Sequence, residues 1–358
     1  MELLSVTMND GVMPRSEIEG KDNSSEDKSN YKVVLTGDMV YNSMRMWQGA
    51  NGISPCDGIV SPAYTVLMPK IPISNGYFAA FFKSPNLINE FRKNSQGMTS
   101  DTWNLKYPQI ETIKVCIPAL SEQNRVADML RTLERRIAKQ AQLVDNLKKY
   151  KRGVMQRIFR QLPSQNGTEW TCVRLGDIFK KVSRRNTDGV IKNVITNSAE
   201  YGLIPQRDFF DKDIAVDGNT ANYYVIENGD FVYNPRKSNS APYGPFNRYT
   251  LSEQGIISPL YTCLVLQADI SPSYLAWYFK SDAWYRYIYD NGSQGVRHDR
   301  VSMTDDLLMG IPVMYPSHEK QLLYADILDV VETRLQATQK TLDLLSKTRD
   351  GYMRQLFI

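Results

Sequence analysis

Residues that commonly carry catalysis or bind metals are scarce here, with two histidines and four cysteines in 358 residues. The cysteines are scattered: Cys56, Cys116, Cys172 and Cys263. They have neither the paired spacing of a zinc site nor a nearby histidine, so free thiols in a reducing cytoplasm are predicted. His298 and His318 lack a partner at a fixed spacing, so we predict neither acid–base catalysis nor a bound metal or cofactor.

Several sequence motifs are also absent. No glycine-rich loop ends in Lys-Ser or Lys-Thr, which argues against a P-loop nucleotide site. The Asn/Asp-Pro-Pro-Tyr/Phe motif of amino-methyltransferases does not occur, and Asn234-Pro235-Arg236 is its nearest approach. There is no signal peptide and no apolar run of the ~20 residues that span a membrane, so a cytoplasmic protein is predicted. These absences favour a binding protein over an enzyme.

Charge is distributed unevenly along the chain. Hydrophobic content of 42% and charged content of 23% are ordinary for a globular protein, and the net charge is only +4. Residues 121–160 nevertheless contain eleven Lys or Arg against four Asp or Glu, whereas residues 319–358 contain six of each. This basic segment permits an anionic partner, although a solvated helix face is the simpler interpretation.

The strongest pattern is a seam of mostly apolar residues with alternating steps of four and three, and it occurs twice. The first seam is Val126, Leu130, Leu133, Ile137, Gln140, Val144, Leu147, Lys151, Val154 and Ile158. The second, 198 residues later, is Tyr324, Leu328, Val331, Leu335, Thr338, Leu342, Leu345, Arg349, Tyr352 and Leu356. The polar interruptions recur in register, which predicts one long helix, first at 121–159, written twice, with an apolar face on each copy that needs covering.

Shorter blocks repeat in the same order before each seam. The matched pairs are Gly11–Pro14 with Gly202–Pro205, Gly37–Asn42 with Gly229–Asn234, Gly58–Pro62 with Gly255–Pro259, Phe82–Ser84 with Phe279–Ser281, and Ile117–Pro118 with Ile311–Pro312. They predict two homologous mixed α/β domains, each followed by a long helix. The boundaries are a first domain at 1–120, a helix at 121–160, a linker at 161–169, a second domain at 170–317 and a helix at 318–358.

Local signals predict the elements inside each domain. Strands are expected at Asp38–Asn42, Asp230–Asn234, Tyr64–Leu67 and Tyr261–Leu266. Single amphipathic helices are expected at Gly76–Phe91 and Pro272–Tyr289, with their aromatic side chains in the core. Pro163–Gly167 has the composition of a turn between the halves, and Asp305-Asp306 that of a helix start.

The two halves are not equal. The second opens with Trp170–Ile178 and a basic stretch, Lys180–Arg185, whose counterpart in the first half would fall before residue 1. The first domain therefore lacks about one strand and one turn. A truncated start and a segment supplied from elsewhere are both compatible with this pattern.

Between the matched blocks, the chain is rich in side chains that suit DNA. Arg matches the acceptors of guanine, Asn and Gln match adenine, and Lys and Ser match phosphate. In the first half the candidates are Asn42, Arg45, Trp47, Gln48, Gln96, Thr99 and Ser100. In the second half they are Lys181, Arg184, Arg185, Asn234, Arg236, Lys237, Asn239, Tyr243, Gln294, Arg297 and His298. Residue type alone would equally describe ordinary polar loops.

Three stretches carry a resemblance to a known family. Gly37–Gly49 followed by Asp57–Pro62, the Leu175–Ile178 turn, and Ile117–Gln123 leading into a long helix together resemble the specificity subunit of type I restriction–modification systems. The similarity covers essentially the whole chain, including the duplication. Two departures stand out: the first domain lacks its Leu-Gly-Asp-Ile segment, and Tyr315–Gln321 replaces the usual approach to the second helix.

The resemblance implies a non-catalytic subunit with two target-recognition domains held apart by two antiparallel helices. Each domain would read half of a split site on double-stranded DNA. The subunit would dock two adenine-methyltransferase (M) subunits, and restriction (R) subunits would join them to cut DNA in defence against phage. No membrane partner is implied.

Other interpretations are compatible with the residues alone. A coiled-coil scaffold could bind proteins through its two domains, and the seam could pair between chains instead of within one. An enzyme fused to its own recognition module is disfavoured by the missing motifs.

Overall fold

The computed structural model describes residues 1–357 apart from 9, 21, 23, 100–101, 210–219 and 293–298. The chain forms two compact units. The first comprises Met1–Val144 with Ala337–Ile358, and the second comprises Asp145–Gln336. Each long helix therefore contributes to the core of both units.

The first unit contains two sheets and three short helices before the first long helix. Its strands are β1 (Glu2–Val6), β2 (Val12–Pro14), β3 (Lys32–Val34), β4 (Met39–Asn42), β5 (Asn51–Ile53), β6 (Gly58–Val60) and β7 (Tyr64–Leu67). Its helices are α1 (Asn75–Phe81), α2 (Pro85–Asn94), α3 (Tyr107–Ile110) and α4 (Leu120–Gln156). The strand orders are β2-β1-β6-β3 and β5-β4-β7, and among the described residues of this unit the β1–β6 pair is parallel while the other strand pairs are antiparallel.

The second unit has more strands in more sheets. The strands are β8 (Thr171–Arg174), β9 (Phe179–Val182), β10 (Ile195–Ser198), β11 (Gly202–Pro205), β12 (Tyr224–Ile226), β13 (Phe231–Tyr233), β14 (Phe246–Arg248), β15 (Gly255–Ile257), β16 (Thr262–Leu266) and β17 (Pro312–Tyr315). The helices are α5 (Leu162–Gln165), α6 (Leu175–Ile178), α7 (Gln206–Phe209), α8 (Pro272–Lys280), α9 (Tyr285–Asn291), α10 (Asp305–Met309) and α11 (His318–Gln355). The main sheet has the order β14-β13-β16-β9, and β17 pairs with β8.

The four predicted strands form, and they occupy equivalent places in the two units. β4 lies between β5 and β7, just as β13 lies between β14 and β16, and all these pairs are antiparallel. In the second unit β9 adds a fourth strand beyond β16. In the described part of the first unit, β7 has no strand on its outer side. The mixed helix–strand fold and its duplication are thus confirmed.

The prediction of a single helix inside each domain is wrong in one respect, because each predicted helix is two shorter helices in the structure. In the first unit α1 ends at Phe81, and Ser84 caps α2 with its hydroxyl accepting from the Leu87 amide at 3.4 Å. Pro85 has no amide hydrogen to continue the preceding helix, so it begins a new one. In the second unit the chain turns at Ser281 between α8 and α9. The aromatic side chains do pack in the core, with Trp284 fully buried.

The predicted turn at Pro163–Gly167 is largely helical. After α4, the chain continues as a π-helix at Arg157–Gln161 and then as α5. Pro163 lies at the second position of α5, where its missing amide hydrogen is not needed. The helix start predicted at Asp305-Asp306 forms as α10, capped by Thr304.

The long helices pack together in an antiparallel sense within each unit. In the first unit the Gln140 side-chain amide donates to the Thr338 carbonyl at 2.9 Å, while Val126 and Leu130 share a core cluster with Met353. In the second unit the Lys151 ammonium lies 2.6 Å from the Glu332 carboxylate. Burial alone would raise the pKa of Glu332, but the hydrogen bond and charge of Lys151 bring it below its usual value.

One end of the second seam differs from the prediction. Tyr352 and Leu356 are 39% and 37% exposed, whereas Met353 is half-buried and Phe357 is 3% exposed. Near this end, the buried positions Met353 and Phe357 are therefore four residues apart and do not follow the predicted seam. A straight helix has 3.6 residues per turn, so its buried face drifts away from a strict seven-residue repeat. Phe357 is also held in place by contacts with the rings of Tyr77 and Phe81.

A buried glutamine connects each long helix to the domain that precedes it. The Gln123 side-chain amide donates to the Pro118 carbonyl at 2.9 Å and accepts from the Ser74 amide at 3.0 Å. Gln321 does the same with Pro316 at 2.9 Å and Ser271 at 2.8 Å. The register of Gln123 with Gln321 is confirmed, but the predicted match of Pro118 with Pro312 is wrong.

The correct counterpart of Pro118 is Pro316, because equivalent backbone hydrogen bonds earlier in the two units have the same register. Ile113 donates to the Ile110 carbonyl at 3.1 Å, and Ile311 donates to that of Leu308 at 3.2 Å. The segment Lys114–Ile117 of the first unit is consequently the counterpart of β17.

We predict that Gln123→Ala and Gln321→Ala each lower the free energy of unfolding by about 1–3 kcal/mol, because each leaves a buried amide hydrogen and a carbonyl without their partner. Urea unfolding followed by circular dichroism measures the change. Gln142→Ala, at an exposed position of α4, is the matched control and should be neutral. Equal behaviour of Gln123→Ala and Gln142→Ala would contradict the assigned role.

Candidate nucleic-acid interface

In the first unit, the loop after β4 carries four of the predicted DNA-binding residues on a fixed frame. Met46 is fully buried below the loop, while Arg45 and Gln48 on either side of it are exposed. Gly49 closes the 3-10 turn with φ of 84°, a conformation that favours glycine. Asn42 accepts from the Met44 amide at 3.1 Å, so its side chain shapes the start of the loop.

A pair of tryptophans joins this loop to a second one, at 96–105. The rings of Trp47 and Trp103 meet edge to face with centroids 5.1 Å apart. The Leu105 amide donates to the Ser43 carbonyl at 2.8 Å, which fixes the two loops backbone to backbone. The structure therefore brings the residues predicted near 42–48 together with those predicted near 96–99.

The two ends of the second loop are paired with each other. Gln96 and Asn104 exchange backbone hydrogen bonds of 3.0 and 2.9 Å, and Thr102 accepts from the Thr99 amide at 3.1 Å. Gln96 and Thr99 are exposed. Gly97 lies so close to the Thr102 carbonyl that a Cβ there would approach it to 2.6 Å. The predicted residue Ser100 lies outside the described residues.

The second unit repeats this construction. Two backbone hydrogen bonds join the loop after β13 to residues 299–301. The Lys237 amide donates to the Asp299 carbonyl and the Val301 amide donates to the Pro235 carbonyl, both at 2.9 Å. The Val301 bond corresponds to the Leu105–Ser43 bond of the first unit. Two homologous loop pairs are thus joined by the same backbone contact.

The predicted residues of this loop differ in accessibility. Arg236 and Asn239 are exposed, and Lys237 and Tyr243 are half-buried. The Tyr243 ring packs against Tyr285 with centroids 5.0 Å apart. The side chains available at the surface are therefore two cations, an amide and part of an aromatic ring.

Asn234 has a different environment from its neighbours. It is buried, and its side-chain amide donates to the Asn197 carbonyl at 3.3 Å while its oxygen accepts from the Arg236 amide at 3.0 Å. The Asn247 amide in turn donates to the Asn197 side chain at 2.8 Å. This asparagine network supports the loop from beneath. Sequence reasoning missed Asn197 and Asn247, because nothing in their local pattern separates them from surface asparagines.

The basic residues predicted on and after β9 form ion pairs and hydrogen bonds within the unit. Lys181 lies 2.6 Å from the carboxylate of Asp305. Arg184 lies 2.9 Å from Glu227 and 3.3 Å from Asp230. Arg185 donates to the side-chain oxygen of Asn222 at 2.9 Å and lies over the Tyr224 ring. The charges of Lys181 and Arg184 are thus partly neutralised by carboxylates, whereas Arg45 is exposed.

Burial changes the pKa of Asp230, one of the acidic partners of Arg184. Desolvation raises the pKa of Asp230 above its ordinary value, and the Glu227 amide and Arg184 guanidinium oppose that effect only in part. Asp230 also accepts from the Glu227 amide at 2.9 Å. The arrangement holds the turn before β13 and resembles a structural ion pair more than an acid–base site.

Three predicted residues of the second unit, Gln294, Arg297 and His298, lie outside the described residues. One residue that the prediction missed is Arg92, whose guanidinium lies 5.7 Å from the centre of the Trp103 ring. It lies on α2, one residue beyond the predicted helix Gly76–Phe91. It extends the surface formed by Trp47 and Trp103.

The described residues also bear on metal binding and on membrane insertion. Among those residues, no three His, Cys, Asp or Glu side chains are grouped so that they could hold a metal ion. Likewise, none of the helices in the described ranges is both long and apolar enough to cross a lipid bilayer.

Comparison with known proteins places the fold. No protein-family profile and no curated protein sequence matches the chain. A type I restriction–modification S subunit from M. genitalium matches with a TM-score of 0.57 and 14% identity, covering 99% of this chain and 94% of that one. A chain from a study of complex assembly and conformational transition of a type I restriction–modification system matches with a TM-score of 0.53 and 18% identity, covering 93% and 84%.

A third structure, the HsdS subunit from Thermoanaerobacter tengcongensis, matches at 16% identity with a TM-score of 0.48, over 97% of this chain and 85% of that one. That score is too low to add to the argument. The first two matches extend over both units and both long helices. The chain therefore has the fold of the specificity subunits of type I restriction–modification systems.

Proposed function

We propose that this protein is a sequence-specific DNA-binding subunit of a type I restriction–modification complex, with each unit reading one half of a bipartite site. The observation that carries the proposal is the duplicated loop pair. The same backbone contact joins the loops in both units, while the exposed side chains differ. A constant frame with divergent exposed residues is what two related readers of different sequences require.

The exposed side chains suit direct readout of base edges. Arg45 and Arg236 lie in the equivalent loops of the two units, and an Arg fork matches the two acceptors of guanine. Gln48 and Asn239 supply amides that match adenine. Both arginines and both amides extend from loops whose backbone is held by hydrogen bonds, and this reduces the entropy lost on binding.

The long helices would set the gap between the two half-sites. α4 has 37 residues and α11 has 38, so each is about 55 Å long at 1.5 Å per residue. That length corresponds to roughly 16 base pairs of B-DNA at about 3.4 Å per step. Antiparallel packing would present the two readers in opposite directions.

The same helices offer a surface for the methyltransferase subunits. Leu323, Ile327 and Val330 follow one another at steps of four and three on α11 and are all exposed, Val330 at 67%. An exposed apolar stripe on a helix typically marks a protein interface. Adenine methylation and DNA cleavage would then belong to the methyltransferase and restriction subunits, and this chain would have no catalysis of its own.

Salt dependence tests the DNA-binding function against a protein-binding scaffold. We expect the purified chain, with or without methyltransferase subunits, to retain a subset of a randomised DNA pool. Its affinity should fall by about 10³-fold or more between 50 and 200 mM salt, because several phosphate contacts release counterions. Fluorescence anisotropy with a selected duplex measures this fall. A chain that retains no DNA at 50 mM salt would favour the scaffold.

Arg45→Ala and Arg236→Ala should each relax base choice in a different half-site. The expected loss is about 1–3 kcal/mol of discrimination at one position, and the other half-site should be read as before. Sequencing the DNA retained from the randomised pool provides the measurement. Arg286→Ala, an exposed arginine on α9 paired with Asp290, is the matched control. Uniform loss of affinity for all sequences would instead make the arginine a phosphate contact.

Inserting one heptad into each long helix should lengthen the tolerated gap by about three base pairs, because seven residues add roughly 10 Å of helix. The insertions are placed beside Gln140 and Thr338, which are hydrogen-bonded to each other. Extending both helices at this paired point preserves the seam. Mapping methylated adenines made by the reconstituted complex measures the gap. A heptad in one helix only is the control and should impair folding. An unchanged gap in the doubly extended protein would refute the role.

A further inference from the structure

An indole ring packs between α8 and the long helices of the second unit. Trp277 is only 4% exposed, and its Nε1–H donates to a carboxylate oxygen of Asp329 at 2.8 Å. The ammonium groups of Lys280 and Lys151 lie 4.8 and 5.1 Å from the centre of the ring, within the range of a cation–π interaction. Lys151 is also paired with Glu332 at 2.6 Å. Two cations and one hydrogen-bond acceptor therefore hold the ring.

The repeat identifies the counterparts of these five residues in the first unit. The hydrogen bonds of the two buried glutamines relate α1 to α8 and the start of α4 to that of α11. Ring contacts relate the ends of the long helices, since Phe357 lies 5.3 Å from Tyr77 and Phe159 lies 5.6 Å from Tyr274. The counterparts are Ala80 for Trp277, Lys83 for Lys280, Arg349 for Lys151, Glu134 for Glu332 and Arg131 for Asp329.

Three of these positions keep their charge, and two change together. Lys83, Arg349 and Glu134 preserve the two cations and the carboxylate. Ala80 carries no ring, so the volume of an indole is removed from the site. Arg131 replaces a hydrogen-bond acceptor with a guanidinium, which only donates. The substitution pattern therefore keeps the surroundings of a ring while it reverses the polar group that the ring must match.

A cavity of about 860 Å³ lies at this place in the first unit. Its lining includes all five counterparts: Ala80, Lys83, Arg131, Glu134 and Arg349. The volume is in the range of about 300–1,000 Å³ that is usual for small-molecule pockets. Gly76 and Ala127 also line the cavity, and α1 and α4 approach so closely there that a Cβ on Gly76 would lie 3.1 Å from that of Ala127. Small residues thus form the wall between these two helices.

The lining of the cavity has an excess of positive charge. Four cations, a charge of +4, face three carboxylates, a charge of −3, which leaves a net of +1: Lys83, Arg131, Arg349 and Arg354 against Asp128, Glu134 and Asp350. Arg131 is paired with Asp128, and Arg349 with Asp350, but both pairs are exposed and such pairs contribute little to stability. One bound carboxylate would make the lining neutral.

Lys83 is the cation of this cavity whose charge is least compensated. It is half-buried, and among the described residues it forms no ion pair. Burial lowers the pKa of Lys83, and the attraction of Glu134 and Asp10 opposes that effect only in part. An electron-rich ring beside the ammonium would favour its charged form, as the indole of Trp277 does for Lys280.

We infer that the cavity between α1, α4 and α11 of the first unit binds a free, planar aromatic carboxylate. The ring takes the place that the indole of Trp277 has in the second unit, beside Lys83 and Arg349. The carboxylate accepts from the guanidinium of Arg131, which occupies the position of the acceptor Asp329. None of the residues proposed to contact DNA lines this cavity, and the inference does not depend on that function.

Isothermal titration calorimetry of the full chain with 2-naphthoate tests the site, because this ligand has a fused ring of about the size of indole and one carboxylate. We expect a single bound ligand per chain. The neutral 2-naphthamide, which has the same ring, should bind at least ~10-fold more weakly, because it cannot form a charge-assisted hydrogen bond with Arg131.

Two arginines of α4 provide a matched pair of variants. Arg131→Ala should weaken the binding of 2-naphthoate at least ~10-fold, since it removes the group that holds the carboxylate. Arg135→Ala removes another exposed arginine that does not line the cavity, and it should leave the affinity unchanged. Equal affinities of these two variants would overturn the inference.

A double variant fills the cavity with the residues of the second unit. Ala80→Trp with Arg131→Asp copies Trp277 and Asp329 into the first unit, so the protein should fold, as circular dichroism can show, and should no longer bind 2-naphthoate. Binding that persists in the folded double variant would contradict the assigned position, as would a lack of binding to the unaltered chain at up to about 1 mM ligand. Equal affinities for 2-naphthoate and 2-naphthamide would indicate a neutral occupant, such as an aromatic side chain of a partner protein, and would overturn the inference too.

Discussion

The structure depends on the burial of one stripe of each long helix against the other. Neither helix closes a core alone: Val126 and Leu130 of α4 share a cluster with Phe357 after α11, and Ile158 after α4 shares one with Leu328 of α11. Each unit is therefore built from distant parts of the chain. Two polar interruptions in the first seam, Gln140 and Lys151, are satisfied by Thr338 and Glu332 of the other helix.

The sequence predicts the repeated features well because the same physical demand acts twice. Strands β4 and β13, the two long helices and the buried glutamines all follow from a pattern and its copy. The errors fall where a single local contact decides the outcome. Ser84 and Pro85 divide a helix that periodicity alone would continue, and an unrelated Ile-Pro at 311–312 disguised the true register of Pro118 with Pro316.

The candidate interface illustrates a different limit. Composition pointed to arginines and amides in these loops, but it could not separate a side chain that supports a loop from one that the loop presents. Asn234 and Arg236 are two residues apart, and the first is buried in an asparagine network while the second is exposed. Likewise, Arg184 has the same residue type as Arg236 but lies between two carboxylates. Accessibility of this kind depends on contacts made by residues far along the chain.

The difference between the units follows from how a sheet is stabilised. A β-strand satisfies its backbone groups only when both of its edges are paired or solvated, and its apolar face needs cover. β16 has both neighbours, and Leu264 on it is fully buried. β7 retains the same alternation with one neighbour, and its apolar side chains remain half-exposed. The residues of the first unit thus still conform to a pairing pattern whose second strand is seen only in its homologue.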